Sequence, residues 1–296
     1  METIKNAWRK SWVGYLFLTP WILGILAFTM IPMGASLYFS FTRYDMFTSP
    51  EWIGLGNYIA LFQDEKWKNS VTVTLTYVFL GVPLQLLFAL TIATLLNKGI
   101  AGLRFYRAIY YVPSLFGGSV AIAILWRQIF GGSGLINNVL DYFGIQGINW
   151  ISTPSTALYT LIILMIWQFG ASMVIFLAGL KQVPMDLYES AKIDGAGFMK
   201  QFTSITLPLI TPVVFFNLVM GIISAFQAFT PAYIVSGGTG GPLDSTLFYT
   251  LYLYQKGFTH FQMGYASAMA WILLLAISFV TALIFVSSKK WVFYQE

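Results

Sequence analysis

The sequence predicts an all-α fold, a polytopic membrane protein with six transmembrane helices, and three observations carry that prediction. Hydrophobic residues fill 57% of the 296 positions and charged residues 9%, against roughly 45–50% and about 25% in a soluble domain. So few charges cannot cover a water-facing surface. The apolar residues gather in blocks of about 20–28, the length a helix rising 1.5 Å per residue needs to cross a ~30 Å hydrocarbon core. The remaining charges are distributed as a membrane topology would place them.

Met1–Ser11 carries Lys5, Arg9 and Lys10 and is too polar to insert. The first span is expected over about Trp12–Ser40, with Trp8, Trp12 and Tyr15 at the level of an interfacial aromatic belt. It is far longer than the apolar core of a cleavable signal peptide, about 7–15 residues. Pro20 and Pro32 predict bends, which neighbouring helices tolerate by satisfying the freed backbone groups. The polar segment Phe41–Ser70 leads to a second span, about Val71–Leu96. A short basic loop with Lys98, Arg104 and Arg107 precedes a third, about Ala108–Phe130. Gly131–Thr156 is rich in glycine and asparagine and holds one acid, Asp141, which suits a loop with one short helix. The fourth span is about Ala157–Gly179, the fifth about Leu207–Ala232 and the last about Met263–Val286. Between the last two lie a glycine-rich turn, Gly237–Pro242, and a semi-polar stretch to Gln262. Without an internal repeat or low-complexity segment, residues 1–296 read as one transmembrane domain.

Six spans put both termini on one side. That side holds Lys5, Arg9, Lys10, Lys98, Arg104, Arg107, Lys181, Lys192, Lys200, Lys289 and Lys290; the other holds Arg43, Lys66, Lys68 and Lys256, with Arg127 near the outer end of the third span. The excess of basic residues predicts cytoplasmic termini. The net charge of +5 follows this topology and gives no reason to expect nucleic acid. Zero cysteines exclude disulfides and thiolate metal sites, and one histidine, His260, cannot build a His-rich site.

The spans as drawn hold no Asp, Glu, His or Lys, and Arg127 at an edge is placed to snorkel to the interface. Proton-coupled carriers normally rely on intramembrane acids or histidines, so their absence counts against that class; sodium coupling through backbone carbonyls escapes this argument. Neutral polar and aromatic groups are present instead: Gln85, Trp167, Gln168, Asn217, Ser224, Phe226 and Gln227. Amides and aromatic faces suit an uncharged polyhydroxylated solute. The same residue types also glue helix to helix. Both readings stay open here, with Trp167, Gln168, Asn217, Ser224, Phe226 and Gln227 as candidate substrate-pathway residues.

Between the fourth and fifth spans, residues 181–206 hold six of the 27 charged side chains, namely Lys181, Asp186, Glu189, Lys192, Asp194 and Lys200. Pro184 can start a helix with Asp186 and Glu189 in its early turns, where carboxylates suit the macrodipole. Leu187, Tyr188 and Ala191 make an apolar strip at helical spacing while Glu189, Lys192 and Lys181 face water. Gly195 and Gly197 allow a reversal into a second short helix through Phe202, and Pro208 falls where the next span begins. A helix lying on lipid headgroups would be more basic and would need no reversal. The hairpin is therefore expected to dock into another protein.

Here the chain resembles a known family. Glu189-Ser190-Ala191, then Gly195, then Ile205-Thr-Leu207-Pro208 is similar to the "EAA loop" of permease subunits of binding-protein-dependent ABC importers. Six fixed residues at ~10% chance each recur about once in a million starts, so the pattern is specific. Ser190 stands where the middle alanine is usual. Looser matches cover nearly the whole chain: Phe105-Tyr-Arg107 through Pro113, Gly134-Leu-Ile-Asn137, Gly240-Gly241-Pro242 with Ser245-Thr246, and Met263–Ala268. Jointly these resemble the sugar-importing, maltose and glycerol-3-phosphate branch.

The resemblance implies a type I ABC importer permease fold in a bacterial cytoplasmic membrane. It further implies a second homologous permease subunit, two cytoplasmic ABC ATPases, an external substrate-binding protein and a sugar or oligosaccharide substrate. Glu189 would make a charge-assisted contact in the ATPase cleft. Gly195 would turn the chain beside Asp194, and Ser190, Ala191, Ile205, Leu207 and Pro208 would shape the knob. No Gly-x4-Gly-Lys-Ser/Thr phosphate loop occurs in the sequence, so ATP and Mg are expected on the partner ATPases and the chain itself is expected to be no enzyme. Two rivals stand beside this reading. One is an ion-coupled sugar carrier acting without an ATPase. The other is a membrane enzyme acting on lipid-linked sugars, which no carboxylate pair or His/Asp cluster near a span supports.

Overall fold

The computed structural model describes residues 2–99, 102–116 and 118–293, without the side chains of residues 2–11 and 13. The expected position of the Trp8 ring, and the side chains of Lys5, Arg9 and Lys10, lie outside the described residues. Two compact units share the chain: Met1–Gln63 with Leu253–Leu273, and Asp64–Tyr252 with Leu274–Glu296.

In the first unit, α1 (Glu2–Ile25) and α2 (Ile31–Ser40) are joined by a π-helical turn, Leu26–Met30. Pro32 has no N–H for Phe28 and its ring crowds that carbonyl. The chain answers by widening, so that the Ile31 N–H reaches the Leu26 carbonyl. The polar segment after this helix is more built than its sequence suggests. The strands β1 (Thr42–Arg43) and β2 (Glu51–Trp52) pair antiparallel, and α3 (Gly56–Gln63) follows. Buried Asn57 donates to the carbonyls of Ser40 and Thr42, at 2.9 and 2.8 Å. Asp45 accepts from Thr48 and Phe47, and these bonds hold its carboxyl below the usual value. Phe47 meets Phe261 edge-on and the Gly264 N–H reaches the Tyr44 carbonyl at 3.1 Å.

The second unit is arranged around α4 (Glu65–Leu96). This helix starts six residues before the expected Val71, because Asp64 caps it by accepting from the Lys66 and Trp67 amides. The acids and bases at its start belong to its first turns rather than to a loop. Downstream, α5 (Leu103–Leu115) and α6 (Val120–Ile129) replace the single third span, α7 (Leu135–Tyr142) is the short helix expected in the loop, and α8 (Pro154–Trp167) and α9 (Gly170–Leu180) replace the fourth. The polar hairpin comprises α10 (Met185–Ile193), α11 (Phe198–Gln201), a π turn over Phe202–Thr206 and α12 (Leu207–Leu209). The fifth span is α13 (Thr211–Phe226), followed by α14 (Thr230–Val235), α15 (Tyr249–Tyr254) and α16 (Met263–Ser288), the last two with residues in both units.

Three expected spans are thus broken, with bends of 97° between α5 and α6, 42° between α8 and α9, and 66° at α12–α13. Among the described residues three helices are long and apolar enough to cross a membrane, or six if each bent pair counts as one span. The breaks have local causes. Ser119 accepts from the Ile122 N–H and so starts α6 afresh. Pro208 sits just behind its π turn as Pro32 does, and Pro212 opens α13.

The core of this unit lies where α4 crosses α8, α9 and α13. Val78, Val82, Ala89 and Ala93 of α4 are fully buried there. Small residues let the backbones close up: a Cβ on Gly81 would meet the Met165 Sδ at 2.7 Å, and one on Gly179 would meet Val213 at 2.8 Å. The closest approach is at Gly170, where a Cβ would overlap the Tyr110 carbonyl and the Ser114 hydroxyl. At the far end of α4, Tyr252 donates to the Asp64 carboxylate at 2.5 Å. Burial and that charge push the Tyr252 phenol well above its usual value, so it stays a donor.

Candidate functional site

The hairpin is an exposed knob on a fixed stem. Its reversal follows from one residue: Gly195 has φ +76° with open space around its α-carbon, so backbone conformation and not crowding demands glycine. The Ala196 N–H bonds the Ala191 carbonyl and the Gly195 N–H bonds the Lys192 carbonyl, the Schellman pair that closes α10. Tyr188 and Ala191 turn inward, the Tyr188 hydroxyl lying 2.8 Å from the buried Thr206 hydroxyl. Leu187, expected on the same strip, stays exposed instead, since Tyr188 takes the place against Thr206. Glu189, Ser190 and Asp194 are exposed; Ile205, Leu207 and Pro208 are half-buried in the stem. Below them Thr211 donates to the Pro208 carbonyl at 2.6 Å and accepts from the Phe293 N–H at 2.9 Å, tying the corner to the C-terminal segment.

The tip carries apolar side chains that are largely exposed. Ile193 is 87% exposed, and Met185, Phe198 and Met199 are each more than half exposed. Charged side chains surround them. Lys98, from the turn after α4, lies 4.6 Å over the Phe198 ring. A rigid, small-residue reversal with an apolar crest and a charged rim has the composition of a protein interface core within its rim.

The second feature is a cavity of about 570 Å³ among α4, the α8–α9 break, α13 and the turn into α14. Gln168, Asn217, Ser224 and Gln227 of the expected pathway residues lie in its wall. Trp167 and Phe226 do not: Trp167 packs against Trp126 at 5.8 Å, and Phe226 is buried in the core. Sequence reasoning missed Tyr77, Ser172 and Thr230 as lining groups, and it named Gln85 without assigning it a place. For Tyr77 and Gln85 the available signal was a hydrogen-bonding side chain within an apolar span. Every residue in the wall is uncharged.

The broken spans supply this wall with polar backbone. Gln85 donates to the Met165 carbonyl at 2.8 Å, and the Ser114 hydroxyl accepts from the Ala171 N–H at 2.9 Å. Ser114 satisfies an amide in the first turn of α9, and Gln85 adds a second donor to a carbonyl that already accepts from the Gln168 N–H; such partners are the condition for non-helical backbone at membrane depth. Gln168 and Gln227 are each the residue that follows the last turn of a helix, so both amides stand where the backbone turns away.

Residues 53–292 match the family described as "binding-protein-dependent transport system inner membrane component". The chain belongs to this family. It is therefore a permease component of an ABC transporter, not itself catalytic, and a multi-pass membrane protein. The probable ABC transporter permease protein YesP of Bacillus subtilis is 54% identical across all of this chain and 96% of its own length. The trehalose/maltose transport system permease protein MalF of Thermococcus litoralis is 32% identical over 94% of this chain and 95% of its own. The sn-glycerol-3-phosphate permease protein UgpA of Yersinia pestis is 33% identical over the whole of both chains. Among solved structures, a chain of a bacterial alginate ABC transporter in complex with alginate-bound periplasmic protein superposes with TM-score 0.82 at 22% identity, covering 96% of each chain. That likeness supports the type I permease fold.

Proposed function

We propose that this chain forms half of the translocation pore of an ATP-driven importer of a sugar or oligosaccharide, with residues 181–206 coupling it to an ATPase. The observation that carries the reading is the hairpin: an exposed apolar crest on a glycine reversal, in the spacing of the family's loop from Glu189 to Pro208. Glu189, exposed near the crest, is the residue for a charge-assisted contact in the ATPase cleft. Gly195 fixes the reversal beside Asp194, while Ser190 and Ala191 keep the knob slim and Ile205, Leu207 and Pro208 hold its stem.

The partners in this reading are a second homologous permease, two cytoplasmic ATPases that bind ATP and Mg, and an external substrate-binding protein. The termini and the hairpin face the cytoplasm, as the distribution of basic residues supports. When the ATPases close, the knobs move with them and the pore exchanges inward-facing for outward-facing access. Gln168, Asn217, Ser224 and Gln227 present amides and a hydroxyl to the solute, and the uncharged wall suits a polyhydroxylated one. The relative named for trehalose/maltose transport agrees with that class. No finding supports the ion-coupled carrier.

Purifying the tagged chain from its native membrane and identifying the bound subunits tests the assembly; a permease and an ATPase are the expected companions. Sugar uptake by proteoliposomes holding this chain alone, driven by an ion gradient, would overturn the proposal.

A further inference from the structure

The segment between α6 and α8 has a helix with three distinct faces. At about 100° per residue, Ile136, Asn137 and Leu140 of α7 share one arc; Asn137 is buried and the other two are half-buried, so this arc faces the protein. Asn137 pins it there, donating to the Gly132 and Ile148 carbonyls at 2.9 and 2.7 Å and accepting from the Trp150 indole at 2.8 Å. A second arc, about 120° further round, carries exposed Asn138 and Asp141. The third carries Leu135, Val139 and Tyr142 within about 60°, 60%, 49% and 85% exposed, with Phe143 following at 70%.

Three faces roughly a third of a turn apart are what a helix needs where protein, water and lipid meet. We propose that α7 lies in the membrane interface on the side opposite the hairpin, its Leu135–Val139–Tyr142 face seated in lipid. Four observations favour lipid as the occupant. The helix follows the end of one membrane-crossing pair by five residues and precedes the next, so the chain holds it near the depth at which those spans leave the hydrocarbon. Its polar arc lies on one side only, whereas a helix buried under a second protein has no need of a water-facing side. Tyr142 sits at the edge of the apolar arc nearest the polar one, where an amphipathic ring belongs at headgroup level. The segment 131–156 holds Asp141 and no base, so burial of apolar area and not attraction to anionic headgroups would seat it. The consequence is an anchor that sets the depth of the α6–α8 corner through the Asn137 network.

The chain has no cysteine, so a single introduced one can carry a spin label. Labels at Val139→Cys, Tyr142→Cys, Asn138→Cys and Asp141→Cys would be read in the full chain with its co-purified subunits, in phosphatidylethanolamine–phosphatidylglycerol vesicles, against the unsubstituted chain as background. The expected result is an oxygen-to-nickel-chelate accessibility ratio several-fold higher at 139 and 142 than at 138 and 141. Exclusion of both reagents at 139 and 142 would mean that a protein partner covers the face, and equal access of the chelate at all four positions would mean that it faces water. Either outcome overturns the proposal.

Discussion

The hairpin and the cavity solve opposite problems with the same chain. The hairpin keeps its apolar side chains outside, with Ile193, Met199, Met185 and Phe198 exposed over a stem fixed by Tyr188, Thr206 and Thr211. The cavity gathers polar side chains between helices, with Gln85, Gln168, Asn217 and Gln227 drawn from three helices or their ends. One is a local object whose form follows from some 28 consecutive residues. The other exists only where α4, α9 and α13 pack together. An exposed apolar crest implies a partner that covers it, and a polar wall between apolar helices offers hydrogen-bonding groups to a solute or water.

Substitutions can separate the two regions. The largest effect is expected at Gly195. Replacement by Val places a β-branched residue at φ +76°, a conformation that costs L-residues at least about 1–2 kcal/mol, and ATPase co-purification and ATP-driven uptake should both be lost. Gly195→Asn, which tolerates that region, should keep most of both; a fully active Val variant would remove the hairpin's geometry from the argument. Glu189→Ala should weaken ATPase binding by roughly 10- to 100-fold, the worth of about 1.5–3 kcal/mol for a charged hydrogen bond, while solute binding to the permease stays unchanged. Gly170→Ala forces a Cβ against the Tyr110 carbonyl and should cost about 1–3 kcal/mol of stability, seen as a lowered thermal midpoint with the hairpin still able to dock.

Smaller effects are expected in the wall itself. Gln227→Ala should raise the KM for transport several-fold, about 1 kcal/mol for one hydrogen bond, and leave ATPase recruitment intact. Trp167→Ala should change KM least, because its ring packs on Trp126 away from the cavity. A larger KM effect from Trp167 than from Gln227 would mean that the cavity wall is wrongly drawn.

Much of the hairpin was legible because its signals are local. A helix start at Pro184, a reversal at Gly195 and a second helix near Phe202 all depend on neighbours within a few residues. Leu187 was the exception, since only Thr206, eighteen positions beyond Tyr188, decides which residue turns inward. The first span and α16 were legible for another reason, namely length and apolarity against a ~30 Å slab. The breaks in the other three spans were not. Hydropathy sums over a window and takes no account of an amide freed at Ala171, which Ser114 takes up, or of the Met165 carbonyl, to which Gln85 donates from another helix.

By itself the sequence determined that the chain spans a membrane, where its apolar blocks fall, and that one charged reversal interrupts them. These are properties of composition and of spacing along the backbone. Only the tertiary structure decided which polar residues share a cavity, because Trp167 and Gln168 are adjacent in sequence yet point to different surroundings. A helix rotates each successive side chain by about 100°, and the break after α8 turns Gln168 toward the space that Trp167 avoids.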